Sequence, residues 1–252
     1  MASPYAERLR GVDWLRGLAM VLMVVDHVRV YAGVPAGGPE PDVFFTRWIT
    51  HFCAPWFVFL AGTSIWLRAQ KRADTTGYLL GRGAVLIVLE FTVVRLFWTF
   101  NLDYAHYALA GVIWVIGICM VLMAGLAKLG TRAALVVGLL LVFGHNLTDL
   151  LPGVRTAFGE GALAKLLYLG PTARPIQWGE LQFNVLYSII PWIGVMAVGY
   201  GFGHVLALPS GRRDRLCRWL GLAAIGLFLL LRAGNGYGDP RAWEGSGGMP
   251  AG

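Results

Sequence analysis

Val12-Asp-Trp-Leu-Arg16-Gly-Leu-Ala-Met-Val-Leu-Met-Val-Val-Asp26-His27-Val-Arg29-Val-Tyr31 is the stretch from which the rest of the chain is read. Its middle, Gly17 to Val25, is nine apolar residues without a break. A helix needs about 20 to cross the hydrocarbon of a bilayer. A spanning helix here therefore carries Arg16 at one end and Asp26, His27 and Arg29 at the other, at or just inside the boundary. Ionisable groups at that depth are costly; they face a cavity or the bundle interior and mark functional positions. Arg16 and His27 are eleven positions apart, about three turns, so they share one face about 16 Å apart along the axis. Asp13, one turn before Arg16, is spaced to pair with it. A cleaved leader would use Arg8, Arg10 and Arg16 ahead of the same apolar run. Asp26-His27 then falls where a small-residue cleavage site belongs, so the stretch reads as a retained, functional helix.

The whole chain is 57% hydrophobic and 14% charged, against about 45–50% and about 25% in an average globular protein. That balance specifies a polytopic membrane protein whose first partner is the lipid bilayer. A formal charge of +7 would suggest nucleic acid in a soluble chain. Here the basic residues sit in short connections between apolar runs, where they orient helices. No basic stripe interleaved with aromatics of the base-stacking kind is present, so nucleic acid is not an expected partner. Cys53, Cys119 and Cys217 are an odd number in or at the ends of apolar segments and read as buried thiols rather than a disulfide framework. His51-Phe-Cys53 is not a zinc spacing and no metal is expected. Phosphate-cradling glycine loops are also missing. Gly194, Gly199, Gly201 and Gly203 read as close-packing positions, with Gly199 and Gly203 spaced as Gly-x-x-x-Gly.

Apolar runs predict an all-α bundle of about seven transmembrane helices: Val12 to Tyr31, then about 48–67, 83–100, 107–126, 133–151, 185–208 and 216–233. The Gly/Pro-rich segment 32–46 reads as a loop, a short interfacial helix is expected around 162–169, and 235–252 reads as an irregular tail outside a single domain, 1–234. On the amino-terminal side and in the 2–3, 4–5 and 6–7 connections there are 13 Lys and Arg, against 7 on the other side, with Arg95 inside the third span. The positive-inside rule then puts the amino terminus in the cytoplasm. His27, His51, His106 and His145 all approach the opposite, outer face.

His27 is the first candidate for chemistry, because a neutral imidazole near pH 7 takes a proton from a hydroxyl or amine. The alternative is a structural histidine bonded to a carbonyl between helices. Asp26 projects about 100° away from it, so the carboxylate orienting His27 would be Asp149 or Asp103. His145 and Asp149 share a face at i,i+4 and, with Asn146, form a substrate-binding cluster or a plain helix end. Glu90 and Arg95 lie about 140° apart on one helix and each needs a partner elsewhere; a structural ion pair is the expectation. Pro55 and Pro191 are expected to kink the second and sixth spans, each followed by a tryptophan, Trp56 and Trp192.

Asp13-Trp14-Leu15-Arg16-Gly17, Met23-x-x-Asp26-His27 and Arg47-Trp-Ile-Thr-His51-Phe-Cys-Ala-Pro55-Trp-Phe-Val-Phe-Leu-Ala-Gly62-Thr together are familiar. His145-Asn146-Leu147, Tyr187-Ser-Ile-Ile-Pro191-Trp192-Ile-Gly194 and Leu231-Arg232 with Asn235-Gly-Tyr237-Gly-Asp239-Pro240 fit as well. The chain resembles the bacterial membrane proteins grouped with the catalytic domain of heparan-alpha-glucosaminide N-acetyltransferase. The Arg16-to-His27 spacing also resembles the motif of integral-membrane acyltransferases that acylate bacterial surface glycans. The resemblance implies a multi-pass protein of the bacterial inner membrane that moves an acyl group, acetyl above all, from acyl-CoA on the cytoplasmic side to a glycan or related acceptor outside. It implies His27 as catalytic histidine and Arg16 near the CoA end. Around them the expected site has Asp26 and Asp149 with His27, Asp13 with Arg16, and His51, His145, Asn146 and Trp192 on the acceptor. Family members carry Pro where Ser188 stands and continue past the Tyr-Gly-Asp-Pro block, so the chain looks shortened at its carboxyl end. The alternatives are a transporter or flippase for a small polar or lipid-linked substrate, for which no internal repeat is visible, and an inactive truncated homologue.

Overall fold

The computed structural model describes residues 10–34, 40–146, 161–170 and 174–234; the expected tail at 235–252 and Asp149 lie outside them. The described residues form α1 (Arg10–Tyr31), α2 (Pro41–Thr50), α3 (Cys53–Ala69), α4 (Thr75–Leu89), α5 (Arg95–Thr99), β1 (Tyr107–Ala110), α6 (Val112–Leu126), α7 (Thr131–Gly144), β2 (Ile176–Trp178), β3 (Leu181–Val185), α8 (Ile189–Leu206) and α9 (Ser210–Gly234). The helical bundle expected from the apolar runs is present. Pro41–Ala69, Val112–Leu129, Ile189–Leu206 and Ser210–Gly234 are long and apolar enough to cross a membrane, and Thr131–Gly144 is a shorter apolar helix. The segment expected to be interfacial is one helical turn, Ala162–Ala164, running into a π-helical turn, Lys165–Leu169.

Pro55 interrupts the 41–69 segment, as expected, whereas Pro191 does not kink the middle of its span. Each sits in the first turn of its helix, α3 or α8, where the amide a proline lacks would have no intrahelical partner anyway. Pro55 cannot donate to the His51 carbonyl; α2 stops at Thr50 and the helix restarts at Cys53. Ser188, before α8, holds φ −73°, within the range a proline ring would impose.

The core is built on α8, whose buried face runs from Ile193 to Gly203. It lies between α3 and α7 and also touches α6. A methyl group at Gly62 of α3 would stand 2.0 Å from the Met196 carbonyl, and one at Gly199 of α8 2.1 Å from that of Phe59. On the other flank a methyl at Gly138 of α7 would lie 2.9 Å from the Gly194 carbonyl. Lipid tails are as apolar as leucine, so such backbone-to-backbone approach is what holds membrane helices together. α4 and α6 meet in the same way across Gly83 and Gly117. Trp66, Met123, Met196, Val58 and Val115 fill the space between. By contrast, no residue of α9 is buried.

Two expectations fail in the third span. α4 runs through a π-helical turn, Glu90–Val94, into α5, and Glu90 and Arg95, both buried, take backbone partners instead of forming an ion pair. The Glu90 carboxyl accepts the Trp114 amide at 2.7 Å and so caps α6, whose N-cap residue, Gly111, has no side chain to do it. Arg95 donates to the Asn101 carbonyl at 2.7 Å, to that of Tyr107 at 3.2 Å and to that of Asp103, with its guanidinium 4.3 Å from the Tyr104 ring centre. The segment 100–107 is thereby pinned to the helix end.

The fourth and sixth spans begin later than expected, because Tyr107–Ala110 and Leu181–Val185 are strands. They join β2 in a small sheet ordered β1-β3-β2, with β1 parallel and β2 antiparallel to β3. The two-residue loop Gly179-Glu180, with Gly179 at φ +61°, turns β2 into β3 as short hairpins require.

Candidate functional site

The carboxyl-terminal end of α1 carries the densest polar cluster. Asp26 Oδ1 accepts from Arg47 Nη1 at 2.7 Å, from Thr50 Oγ1 at 3.0 Å and from Arg29 Nε at 3.3 Å. Arg29 also donates to the Val34 carbonyl at 2.8 Å, closing the end of its own helix, where cationic side chains belong. Only 8% of the Arg29 side chain is exposed, against 25% for Asp26 and 23% for Arg47. Two guanidinium groups on one carboxylate, this far from water, tie α2 to α1. With three donors on its Oδ1, Asp26 anchors Arg47 and Thr50 of α2 to α1.

His27, about 100° further round the helix, points away from this cluster. Its ring meets Trp98 of α5 in a T-shaped contact, centroids 5.2 Å apart. Tyr31, one turn on, packs on the same indole at 5.4 Å, and its hydroxyl donates to the Phe97 carbonyl at 3.1 Å, one of the carbonyls left open where α5 ends. His27 is half-buried. Among the described residues no hydrogen bond ties its ring nitrogens.

From α8 comes Trp192, in the first turn, its ring against Tyr187 at 5.0 Å. Tyr187, half-buried, stands two residues ahead of that helix. His51 and His145 bond within their own segments. His51 is exposed and its Nδ1 bonds the Arg47 carbonyl one turn back, at 2.6 Å. His145 bonds carbonyls of its own helix, Leu141 at 3.0 Å and Val142 at 2.9 Å; Asn146 follows it, half-buried, in the turn after α7. Asp103, one of the two carboxylates expected to orient His27, is taken by His106, whose Nδ1 lies 2.7 Å from Asp103 Oδ1 and whose Nε2 lies 3.1 Å from Glu180. This surface bridge ties the 101–106 segment to the β2–β3 turn. The Asp103 bond, with Glu180 adding to it, lifts His106 above the ordinary imidazole value and holds Asp103 below the usual carboxylate range.

At the opposite end of α1, Arg16 lies 3.5 Å from Asp13, the pairing expected from their spacing, and donates to the Ser64 hydroxyl of α3. Arg68 follows on α3, stacked 3.7 Å over Tyr78, with Lys71 and Arg72 exposed beyond it. One rod thus presents a guanidinium at one end and an imidazole at the other.

Arg47, Thr50, Tyr187 and Trp98 were not candidates from the sequence. Arg47 and Tyr187 stand inside blocks that carry the family resemblance, a usable signal. Nothing local marks Trp98, which reaches His27 from 71 positions away.

A multi-pass helical membrane protein with a polar cluster at the end of its first described helix is the class this architecture defines. The family described as heparan-alpha-glucosaminide N-acetyltransferase, catalytic, matches residues 8–232, and the chain belongs to that family. Membership and the apolar helices together point to membrane acetyltransferase activity. No curated protein and no solved structure matches the chain.

Proposed function

We propose that the protein transfers an acetyl group from acyl-CoA, held at the Arg16 end of α1, to a hydroxyl or amine of a glycan acceptor at the Asp26–His27 end. The acceptor heteroatom attacks the thioester carbonyl carbon, and its proton passes to His27. The new C–O or C–N bond forms as the C–S bond breaks, and the sulfur leaves with the electron pair, to be protonated as the free thiol. The observation that carries this reading is the pairing on one helix of a half-buried imidazole, free of hydrogen bonds among the described residues, with a guanidinium about 16 Å away along the axis. Arg16, backed by Arg68, Lys71 and Arg72, suits the phosphates of CoA, and an extended pantetheine arm bridges the interval to His27. Asp26 and Arg47 hold the rim, Tyr187 and Trp192 offer an aromatic wall to the acceptor, and His145 and Asn146 stand as further acceptor contacts. The excess of basic residues at the Arg16 end supports an amino terminus in the cytoplasm of a bacterial cell.

The test is acetyl transfer from labelled acetyl-CoA to amino-sugar and hydroxyl acceptors by protein in lipid nanodiscs. A general base contributes about 10²–10⁴-fold, so His27→Ala should lower turnover by that factor at equal folded protein. Undiminished transfer by His27→Ala would overturn the assignment.

A further inference from the structure

We infer that Trp98 is the positioning residue for His27, and that the π-helical turn at Glu90–Val94 exists to deliver it; this rests on His27 acting as the base. The imidazole sits on α1, and the side-chain partner seen for it among the described residues is the Trp98 ring, 5.2 Å away and inclined at 72°. That geometry is the edge-to-face arrangement that aromatic rings favour. It restricts the imidazole's second side-chain torsion, which is otherwise broad, without occupying either ring nitrogen. A carboxylate partner would orient the ring by taking one nitrogen. The indole leaves both for the acceptor and for the departing proton.

Trp98 faces α1 for a reason that can be traced along its helix. A π-helical turn holds one residue more than an α turn, which rotates everything after it by about 100°, one residue's share of a 3.6-residue turn. Without the extra residue in Glu90–Val94, the indole would be swung by that angle away from His27. The turn begins at Glu90, whose carboxyl is fixed on the Trp114 amide at 2.7 Å, and ends at Arg95, fixed on the carbonyls of Asn101 and Tyr107. Both ends are held, so the rotation is held. Tyr31 completes the clasp from α1, stacking on Trp98 at 5.4 Å while its hydroxyl bonds the Phe97 and Trp98 carbonyls at 3.1 and 3.3 Å.

The experiment measures kcat and KM in nanodiscs for Trp98→Leu and Trp98→Phe, each in the native and the His27→Ala backgrounds. Displacing a reacting group by about 1 Å costs about 10²-fold; Trp98→Leu should therefore lower kcat about 10- to 100-fold, with KM for acetyl-CoA changed less than about threefold. Trp98→Phe, which keeps an aromatic face, should recover most of the loss. In the His27→Ala background Trp98→Leu should cost less than about twofold, because the group it positions is gone. An equal fold-loss in both backgrounds, or a loss confined to KM, would make Trp98 merely structural and overturn the inference. Should Trp98→Leu not accumulate, Trp98→Met, unbranched, more adaptable in packing and without a ring, reads the same split. If His27→Ala keeps full activity, the functional reading falls and takes this inference with it. If His27→Ala is inactive while Trp98→Leu keeps its kcat, only this inference falls.

Discussion

Exchanging Glu90 and Gly111 tests how the bundle is held where α4 meets α6. Glu90 is 3% exposed, and its carboxyl bonds the Trp114 amide at 2.7 Å. Glu90→Ala strips this helix-start amide of its acceptor. A buried donor left unpaired costs about 1–3 kcal/mol, so the variant should lose about that much. Gly111 has ordinary extended backbone, φ −90° and ψ −159°, so glycine is there for room and not for conformation. A Cβ at that position would lie 2.6 Å from Glu90 Oε1. Gly111→Ser alone should therefore cost about 1–3 kcal/mol by overpacking. In combination the two changes relieve each other: Glu90→Ala vacates the space, and the serine hydroxyl caps the helix from the N-cap position, returning about 1 kcal/mol. The pair should be more stable than the sum of the singles by about 2 kcal/mol or more, read by equilibrium unfolding in mixed micelles as a double-mutant cycle. Additive losses, or a Gly111→Ser variant as stable as the native protein, would refute the reasoning.

Two further outcomes follow from surface electrostatics and from helix contact. His106 has its folded pKa raised above the ordinary 6.5 by Asp103 and then Glu180, while Asp103 has its own lowered below 3.8. The His106 contribution is therefore complete below pH 6.5 and fades as pH rises through the raised value, and that of Asp103 is lost only in acid as pH falls through the depressed value. Protection of the 176–185 hairpin from proteolysis or hydrogen exchange should be greatest between about pH 4 and 6.5 and weaken toward pH 8; His106→Gln should abolish that dependence, and a persisting one would discard the bridge. In the core, Gly62→Ala and Gly199→Ala drive a methyl group to within 2.0 and 2.1 Å of backbone carbonyls, which cannot yield as a side chain does. Each should lose about 1–3 kcal/mol or more. Gly226→Ala on α9, where a methyl meets nothing within 4 Å, should be neutral or gain up to about 1 kcal/mol.

The family blocks and the apolar runs were legible because they are local properties. Counting apolar residues between charges located the helical segments, and the Arg16–His27 spacing placed both groups on one face, because helical geometry is set by neighbours along the chain. The same local logic misplaced the starts of the fourth and sixth spans, since the apolar residues at the ends of Tyr107–Ala110 and Leu181–Val185 run on into the helices that follow. Only pairing with each other and with β2 makes them strands. Pro191 was read as a kink because a proline's effect on a helix depends on where that helix begins, and its own missing amide sets that beginning.

What the amino-acid order determined by itself is a membrane-embedded helical chain with an imidazole and a guanidinium on one rod. The tertiary structure decided what those groups touch. Asp26 went to Arg47 and Thr50 rather than to His27, Glu90 to an amide 24 positions away, and His27 to an indole whose direction was turned by one extra residue in a helix. The reason is physical: a side chain's direction follows from its own helix, but its partner depends on which helix faces are pressed together, as Gly83 and Gly117 press α4 on α6. That choice is made between segments, across distances along the chain that no local period records.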